Sequence, residues 1–201
     1  WVFCNRERTP MEVAVQDQLE QNLWSVGQEL RYSRGKMLYH TSDLPFPIQH
    51  TPDTFAQFKK EVERYVNIRE PFERPERSFN FLMVDVDPGI MPALKDLGYP
   101  DYEVDQRLGF PFHGGEKAGL NRLHQFIWES DGLENYKNGK DELSGLNTTT
   151  KLSPYLAQGC ISPKQVYAEI KRYEQQRGKS KSTDALFNSL MYRDFLRLKV
   201  K

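Results

Sequence analysis

The part of the sequence that most constrains the fold is residues 1 to 40, where strand, helix and strand signals follow one another with little between them. Trp1-Val2-Phe3-Cys4 reads as a short buried strand. Thr9-Pro10-Met11-Glu12 is a capping box with proline at the first helical position, where a missing N–H costs nothing. Val15, Leu19, Leu23 and Val26 then recur at helical spacing up to about Gly27. Leu30 to His40 alternates loosely around Ser33-Arg34-Gly35 and is expected to form a second strand or a short hairpin. Strand, helix, strand is the βαβ unit of a parallel sheet, which has to be covered on both faces. One such unit cannot stand alone, so the expectation is the remnant of a larger parallel sheet.

Beyond it the signals become helical. Thr51-Pro52 is expected to start a helix with Phe55, Phe58, Val62 and Tyr65 as its buried stripe. Residues 67 to 90 carry Pro71, Pro75, Pro88 and Gly89 and read as an irregular connector in which Phe79 to Val86 is extended. Asp87, beside Pro88-Gly89, is expected as a turn cap and not as a metal ligand, together with Asp85. Ile90 to Leu97 is expected as a short helix ending at Gly98. Gly114-Gly115-Glu116 opens a longer one with Leu120, Leu123, Ile127 and Trp128 on its apolar face. Ser162-Pro163-Lys164-Gln165 is another capping box, followed by Val166, Ile170 and Tyr173 up to Gly178, and a last helix runs from about Thr183. No Gly, Asn or Pro stop signal follows it, and the first strand begins at once with Trp1, so the sequence is expected to correspond to the middle of a larger protein.

Composition excludes several classes. With 38% hydrophobic and 12% aromatic residues the 201-residue chain has the makings of a packed core. No apolar run approaches the roughly 18 to 20 residues of a membrane helix. Cys4 and Cys160 stand far apart without a CxxC, which favours a reducing, intracellular setting over a disulfide framework. Formal net charge is zero, yet Lys/Arg outnumber Asp/Glu between Lys164 and Lys201. That imbalance suits either the solvated faces of two amphipathic helices or a surface that meets phosphates, as in a nucleic-acid-binding module. His40, His50, His113 and His124 form no zinc pattern, and the common hydrolase and nucleotide loops are missing, so no catalytic residue is assigned and no metal is expected.

The most informative stretch runs from Asn147 to Pro163. Thr148, Thr149, Thr150, Lys151 and Ser153 place several hydroxyls, an ammonium and backbone N–H groups ahead of a proline-interrupted helix. They suit a phosphate-binding loop or, as the commoner case for such a composition, an ordinary threonine-rich loop. Asn147-Thr148-Thr149 also matches a glycosylation sequon. In register, Thr149-Thr150-Lys151-Leu152-Ser153-Pro154-Tyr155-Leu156-Ala157, Gly159 and Ser162-Pro163 resemble the flavin-binding segment of the photolyase/cryptochrome family. Met37-Leu38-Tyr39-His40 with Asp43-Leu44-Pro45-Phe46 resembles the end of that family's α/β domain, above all in its cryptochrome DASH branch. Phe55 to Lys60, Gly114-Gly115-Glu116 with Ala118, and Asn188-Ser189-Leu190-Met191-Tyr192-Arg193-Asp194-Phe195 follow in the same order.

The resemblance implies an α+β, mostly α fold: the remnant of a parallel α/β sheet over residues 1–66, an interdomain linker over 67–113, and the first part of an all-α FAD-binding-type domain over 114–201. It implies FAD as cofactor, with Tyr136, Thr149, Thr150, Lys151, Leu152 and Ser153 around the diphosphate and ribityl chain. Arg193 would contact flavin or substrate, and Asn188 and Tyr192 would line the pocket for a base flipped out of DNA. The implied activity is blue-light sensing or light-driven repair of pyrimidine dimers. Chloroplast, mitochondrion or nucleus are the compartments it suggests. The chain departs from active members in carrying Ser189 for a substrate-supporting Glu and Tyr192 for a lesion-stacking Trp. Those departures motivate the alternative of a non-catalytic, photolyase-like scaffold subunit of a larger complex, with partner proteins covering open domain edges.

Overall fold

The computed structural model describes residues 1–73, 87, 89–100, 110–139, 142 and 145–200. They belong to two units: Trp1–Pro71 together with His113–Lys201, and Phe72–Phe112. Among the described residues the helices and strands lie in the first: β1 (Val2–Asn5), α1 (Pro10–Ser25), β2 (Leu30–Ser33), α2 (Phe55–Tyr65), α3 (Glu116–His124), α4 (Gly132–Gly139), α5 (Ser153–Gln158), α6 (Pro163–Arg177) and α7 (Lys181–Lys199). The fold is mostly α with a small two-stranded sheet, as the sequence implied.

β1 and β2 pair in parallel, Val2 opposite Leu30 and Asn5 opposite Ser33, so the βαβ unit is real. Its burial is not as expected. Trp1 and Phe3 are 76% and 69% exposed, and Val15, Trp24 and Val26 also face outward, whereas the buried side chain of α1 is Gln16. Gln16 Nε2 donates to Asn5 O at 2.6 Å and its Oε1 accepts from Glu7 N, tying the helix to the end of β1. The Thr9 capping box is not made either: the Thr9 hydroxyl donates to Glu12 Oε2 at 2.6 Å instead of capping backbone N–H groups.

Several boundaries move. After β2 the chain bends, and Met37, Leu38 and Tyr39 are buried as core residues and not as a longer strand. Thr51-Pro52 does not start α2; Thr54 does, its hydroxyl accepting from Gln57 N at 3.3 Å. Phe58 and Val62 are buried while Tyr65 is exposed. In the second unit Leu94 to Gly98 forms turns and not the expected helix, with Ile90 and Met91 exposed. Asp87 Oδ1 accepts from Gly89 N at 2.9 Å, the turn-capping role expected of it. Asp85 and the segment Phe79 to Val86 lie outside the described residues.

The core of the first unit lies where α7 meets α2, α4 and α6. Phe58 and Phe195 rings stand 5.5 Å apart and Phe55 meets Tyr192 edge-on at 5.1 Å. α3 passes into a π-helical turn at Gln125–Glu129 that buries Phe126 and Ile127. Leu123 is buried as expected and Leu120 is partly exposed. Gly119 permits close packing here, since a Cβ on it would lie 2.8 Å from Ile161 Cγ2 and 3.1 Å from the Tyr155 ring. α6 and α7 begin with full capping boxes, Ser162 with Gln165 and Ser180 with Thr183. The sequence anticipated the first; the second starts its helix slightly earlier than the expected Thr183.

Candidate functional site

The loop preceding α5 is organised by a buried arginine. Arg122 is 2% exposed on α3 and donates to the carbonyls of Leu146 at 2.8 Å, Thr149 at 3.2 Å and Thr150 at 2.9 Å. It also reaches Asn147 Oδ1 and Gln125 Oε1. A trans peptide directs its N–H opposite to its C=O. Carbonyls 149 and 150 converge on Arg122, so the N–H groups of Thr150 and Lys151 point the other way. Lys151 sits at φ 57°, a left-handed conformation that reverses the chain after those carbonyls. Thr150 Oγ1 accepts from Leu152 N at 3.3 Å and fixes the start of α5.

This loop borders a cavity of about 340 Å³ lined by Tyr136, Thr150, Leu152, Ser153, Leu156 and Arg193, with Ser189 and Leu190 from α7. Five of the residues singled out for a flavin therefore share one wall system: Tyr136, Thr150, Leu152, Ser153 and Arg193. Thr149 and Lys151 are in the loop but do not line the cavity. Arg193 is anchored by backbone, its Nη1 donating to Lys36 O at 2.7 Å and its Nη2 to Leu156 O at 3.1 Å. Burial pulls its guanidinium below the ordinary arginine value, with Asp194 opposing that shift.

A second, more open cavity of about 600 Å³ is lined by Phe55, Lys137, Lys181, Asp184, Asn188, Ser189 and Tyr192, and so contains both residues singled out for a flipped base. Ser189 lines both cavities. Its hydroxyl donates to Ala185 O at 3.0 Å, as helical serines do. With its single proton engaged, Ser189 Oγ accepts from the Tyr136 hydroxyl at 3.2 Å. Tyr136 and Ser189 thus pair on the wall of the smaller cavity, and Ser189 is the residue the two cavities share.

Two buried charged side chains that organise the region escaped the sequence reading. Arg122 interrupts an otherwise apolar stripe of Gly119, Leu123 and Phe126, and a cation on the core side of a helix was the available signal. Asp194 is fully buried, accepts from Tyr39 N at 2.9 Å through Oδ2, and leaves Oδ1 without a hydrogen bond. Burial raises its carboxyl to about 6, against the opposing pull of the Tyr39 and Leu38 N–H groups and of Arg193. It joins α7 to the segment following β2. The basic imbalance after Lys164 is met only in part: Arg177 pairs with Asp131, Lys199 with Asp53 and Arg197 with Glu7 from elsewhere in the chain, whereas Lys171, Arg172 and Lys179 pair with acids of the same stretch, Glu174, Glu169 and Asp184.

No family model matches the sequence. Cryptochrome DASH, chloroplastic/mitochondrial, of Arabidopsis thaliana is 38% identical over 198 residues, covering 98% of this chain and 34% of that protein. The crystal structure of the Synechocystis sp. PCC6803 cryptochrome superposes with a TM-score of 0.88 at 37% identity, covering 96% of this chain and 40% of that one. The chain belongs to the photolyase/cryptochrome family. It spans about 40% or less of the length of these cryptochrome relatives. An archaeal photolyase from Sulfolobus tokodaii, solved with two FAD molecules, matches with a TM-score of 0.62 at 25% identity over 96% of this chain and 37% of its own. Among the described residues no helix is long and apolar enough to cross a membrane.

Proposed function

We propose that the chain is a portion of a photolyase/cryptochrome-like flavoprotein serving blue-light sensing or light-driven repair of pyrimidine dimers, with residues 1–66 and 114–201 as its partial α/β and FAD-binding-type domains and 67–113 as the linker. What carries the reading is the pairing of two cavities through one wall residue, Ser189. The smaller cavity suits part of a flavin dinucleotide. Its volume is in the range of ligand sites, and the loop before it offers the hydroxyls of Thr150 and Ser153 and the outward N–H groups of Thr150 and Lys151. Thr149 to Ser153 would hold the diphosphate, Tyr136 and Arg193 the adjoining chain, and Arg122 would keep the loop shaped for it. When bound and photoreduced, the flavin would supply an electron to a neighbouring base.

Asn188 and Tyr192 would receive that base in the larger cavity, where Lys137 and Lys181 suit an approaching DNA backbone. Ser189, shared by both walls and paired with Tyr136, would lie between the two bound groups. Ser189 offers no carboxyl proton or charge there, so repair would be weaker than sensing. The setting is intracellular, and the organellar label of the Arabidopsis relative suggests a plastid or mitochondrion. The reading is tested by titrating the purified chain with FAD and following flavin fluorescence. Saturable quenching that Thr150→Val and Ser153→Ala weaken is expected; quenching indifferent to both would overturn it.

A second reading, a non-catalytic scaffold subunit, is favoured by the exposed apolar side chains of β1 and α1, notably Trp1, Phe3, Val15 and Trp24. It expects the native protein to co-purify with partner subunits and without flavin.

A further inference from the structure

α7 grips the segment that follows β2 through two neighbouring charged side chains. Arg193 donates to Lys36 O and Asp194 accepts from Tyr39 N, so the Asp194 carboxyl lies fully buried where α7 meets residues 36–39. Its Oδ1 has no hydrogen bond, and the cation within ion-pair reach is Arg193, whose Nη1 stands 3.7 Å away. Among the described residues Arg193 pairs with no other acid, its remaining contacts being the carbonyls of Lys36 and Leu156. A carboxylate oxygen buried without a hydrogen bond is costly, and a neighbouring guanidinium offsets that cost. Arg193 also lines the cavity of about 340 Å³. One guanidinium is therefore shared between a buried carboxyl and the proposed ligand space.

The other charged and titratable groups about Asp194 are Arg197 on the same helix, Tyr39 on the segment after β2 and Lys164 on α6. Glu63 of α2 and Tyr167 of α6 act on Tyr39, and Glu7, after β1, acts on Arg193. Burial pushes the Tyr39 phenol up, so it stays protonated, and pushes Lys164 below the ordinary lysine value. His40, next in the chain to Tyr39, is held below the ordinary histidine value by burial and then by Arg69, and is the competing titration near neutral pH.

We propose that Asp194 is a positioning residue for Arg193, its ionised carboxylate holding the charge of the guanidinium and its neutral form releasing that charge to an anionic ligand in the cavity, so that FAD binds more tightly in acid than in alkali. The inference rests on the flavin reading above. Its sign follows from linkage. FAD brings a negatively charged diphosphate, which disfavours a second anion close by and so favours the protonated carboxyl. A ligand that prefers the protonated form takes up protons on binding, and its affinity falls as pH rises through the titration of that group and levels off above it. Burial, first among the causes, places that titration at about 6, with the Tyr39 and Leu38 N–H groups, Arg193 and Arg197 opposing it.

The test is the dissociation constant of FAD for the full chain, followed by flavin fluorescence from about pH 5 to about pH 8. Each pKa unit by which bound FAD displaces the carboxyl is tenfold in affinity, so a weakening of about threefold to tenfold is expected across that range. Asp194→Asn, which keeps an acceptor for Tyr39 N and cannot ionise, should abolish the slope, while His40→Gln should keep it. If Asp194→Asn proves unstable by thermal melting, isothermal titration of the parent in two buffers of different ionisation enthalpy decides the matter. FAD binding should then take up protons near pH 6 and almost none at about pH 8. Affinity that is flat with pH, a slope that survives in Asp194→Asn or vanishes in His40→Gln, or no proton uptake near pH 6 would overturn this assignment and leave the flavin reading standing. Absence of FAD binding at every pH would overturn both.

Discussion

Replacing Arg122 by methionine, which keeps the aliphatic stem and removes the guanidinium, should unfasten the loop before α5. The side chain donates to the carbonyls of Leu146, Thr149 and Thr150 and to two side-chain amide oxygens. Hydrogen bonds to a charged group contribute about 1.5 to 3 kcal/mol each, and removing one partner of a buried ionic network costs about 3 to 5 kcal/mol. The loop residues are only half-buried, so water will satisfy some freed carbonyls, and the lower end, about 3 kcal/mol, is the expected loss. For a chain of this size that corresponds to roughly 6 to 12 °C in melting temperature. Calorimetric melting gives the magnitude, and limited proteolysis locates it, with new cleavage expected between Gly145 and Ser153. Arg122→Lys should rescue little, because one ammonium cannot span three carbonyls. A methionine variant that melts within about 0.5 kcal/mol of the parent, with the loop still protected, would refute the assignment of Arg122 as its organiser.

The buried Asp194 sets a pH dependence. Its folded value of about 6 exceeds the unfolded value of 3.8, so the folded chain binds more protons between them. Stability should therefore fall as pH rises through that window and level off above it, by about 3 kcal/mol from this group. The difference in melting temperature between parent and Asp194→Asn should vary over that window and be flat above pH 7; a constant difference would contradict the buried-carboxyl account. Gly119→Ala should destabilise by about 1 to 3 kcal/mol, because the new methyl meets Ile161 and the Tyr155 ring, and urea unfolding would report it. Gly27→Ala, at positive φ with nothing near its Cβ, should cost only the backbone strain of about 1 kcal/mol.

Much of the helical region was legible because local signals and burial agree there. Ser162-Pro163 with Gln165 made the capping box its spacing promised, and Val166, Ile170 and Tyr173 became core. The α/β end was legible in topology but not in burial. Val15 and Val26 recur at helical spacing, yet they face outward, since periodicity identifies an apolar face without saying whether anything within the described residues covers it. Tyr136, Thr150, Ser153 and Arg193 were marked from the family pattern and do share a cavity. Arg122 and Asp194 were missed because a buried charge is recognised by its partners: carbonyls 24 and more residues away for Arg122, and the Tyr39 N–H 155 residues away for Asp194. How far the basic C-terminal excess is balanced was hidden for the same reason, since some of its acids, Asp131 and Asp53, come from elsewhere in the chain.

The central claim is that the loop held by Arg122 and the cavity beside it bind FAD. Equilibrium dialysis of the purified chain against FAD, read by the visible flavin spectrum of the protein compartment, tests it directly. The account predicts saturable retention of flavin by the parent chain and its loss in Arg122→Met under conditions where that variant remains folded. Retention no greater than for an unrelated protein of similar size, or unchanged in Arg122→Met, would contradict it.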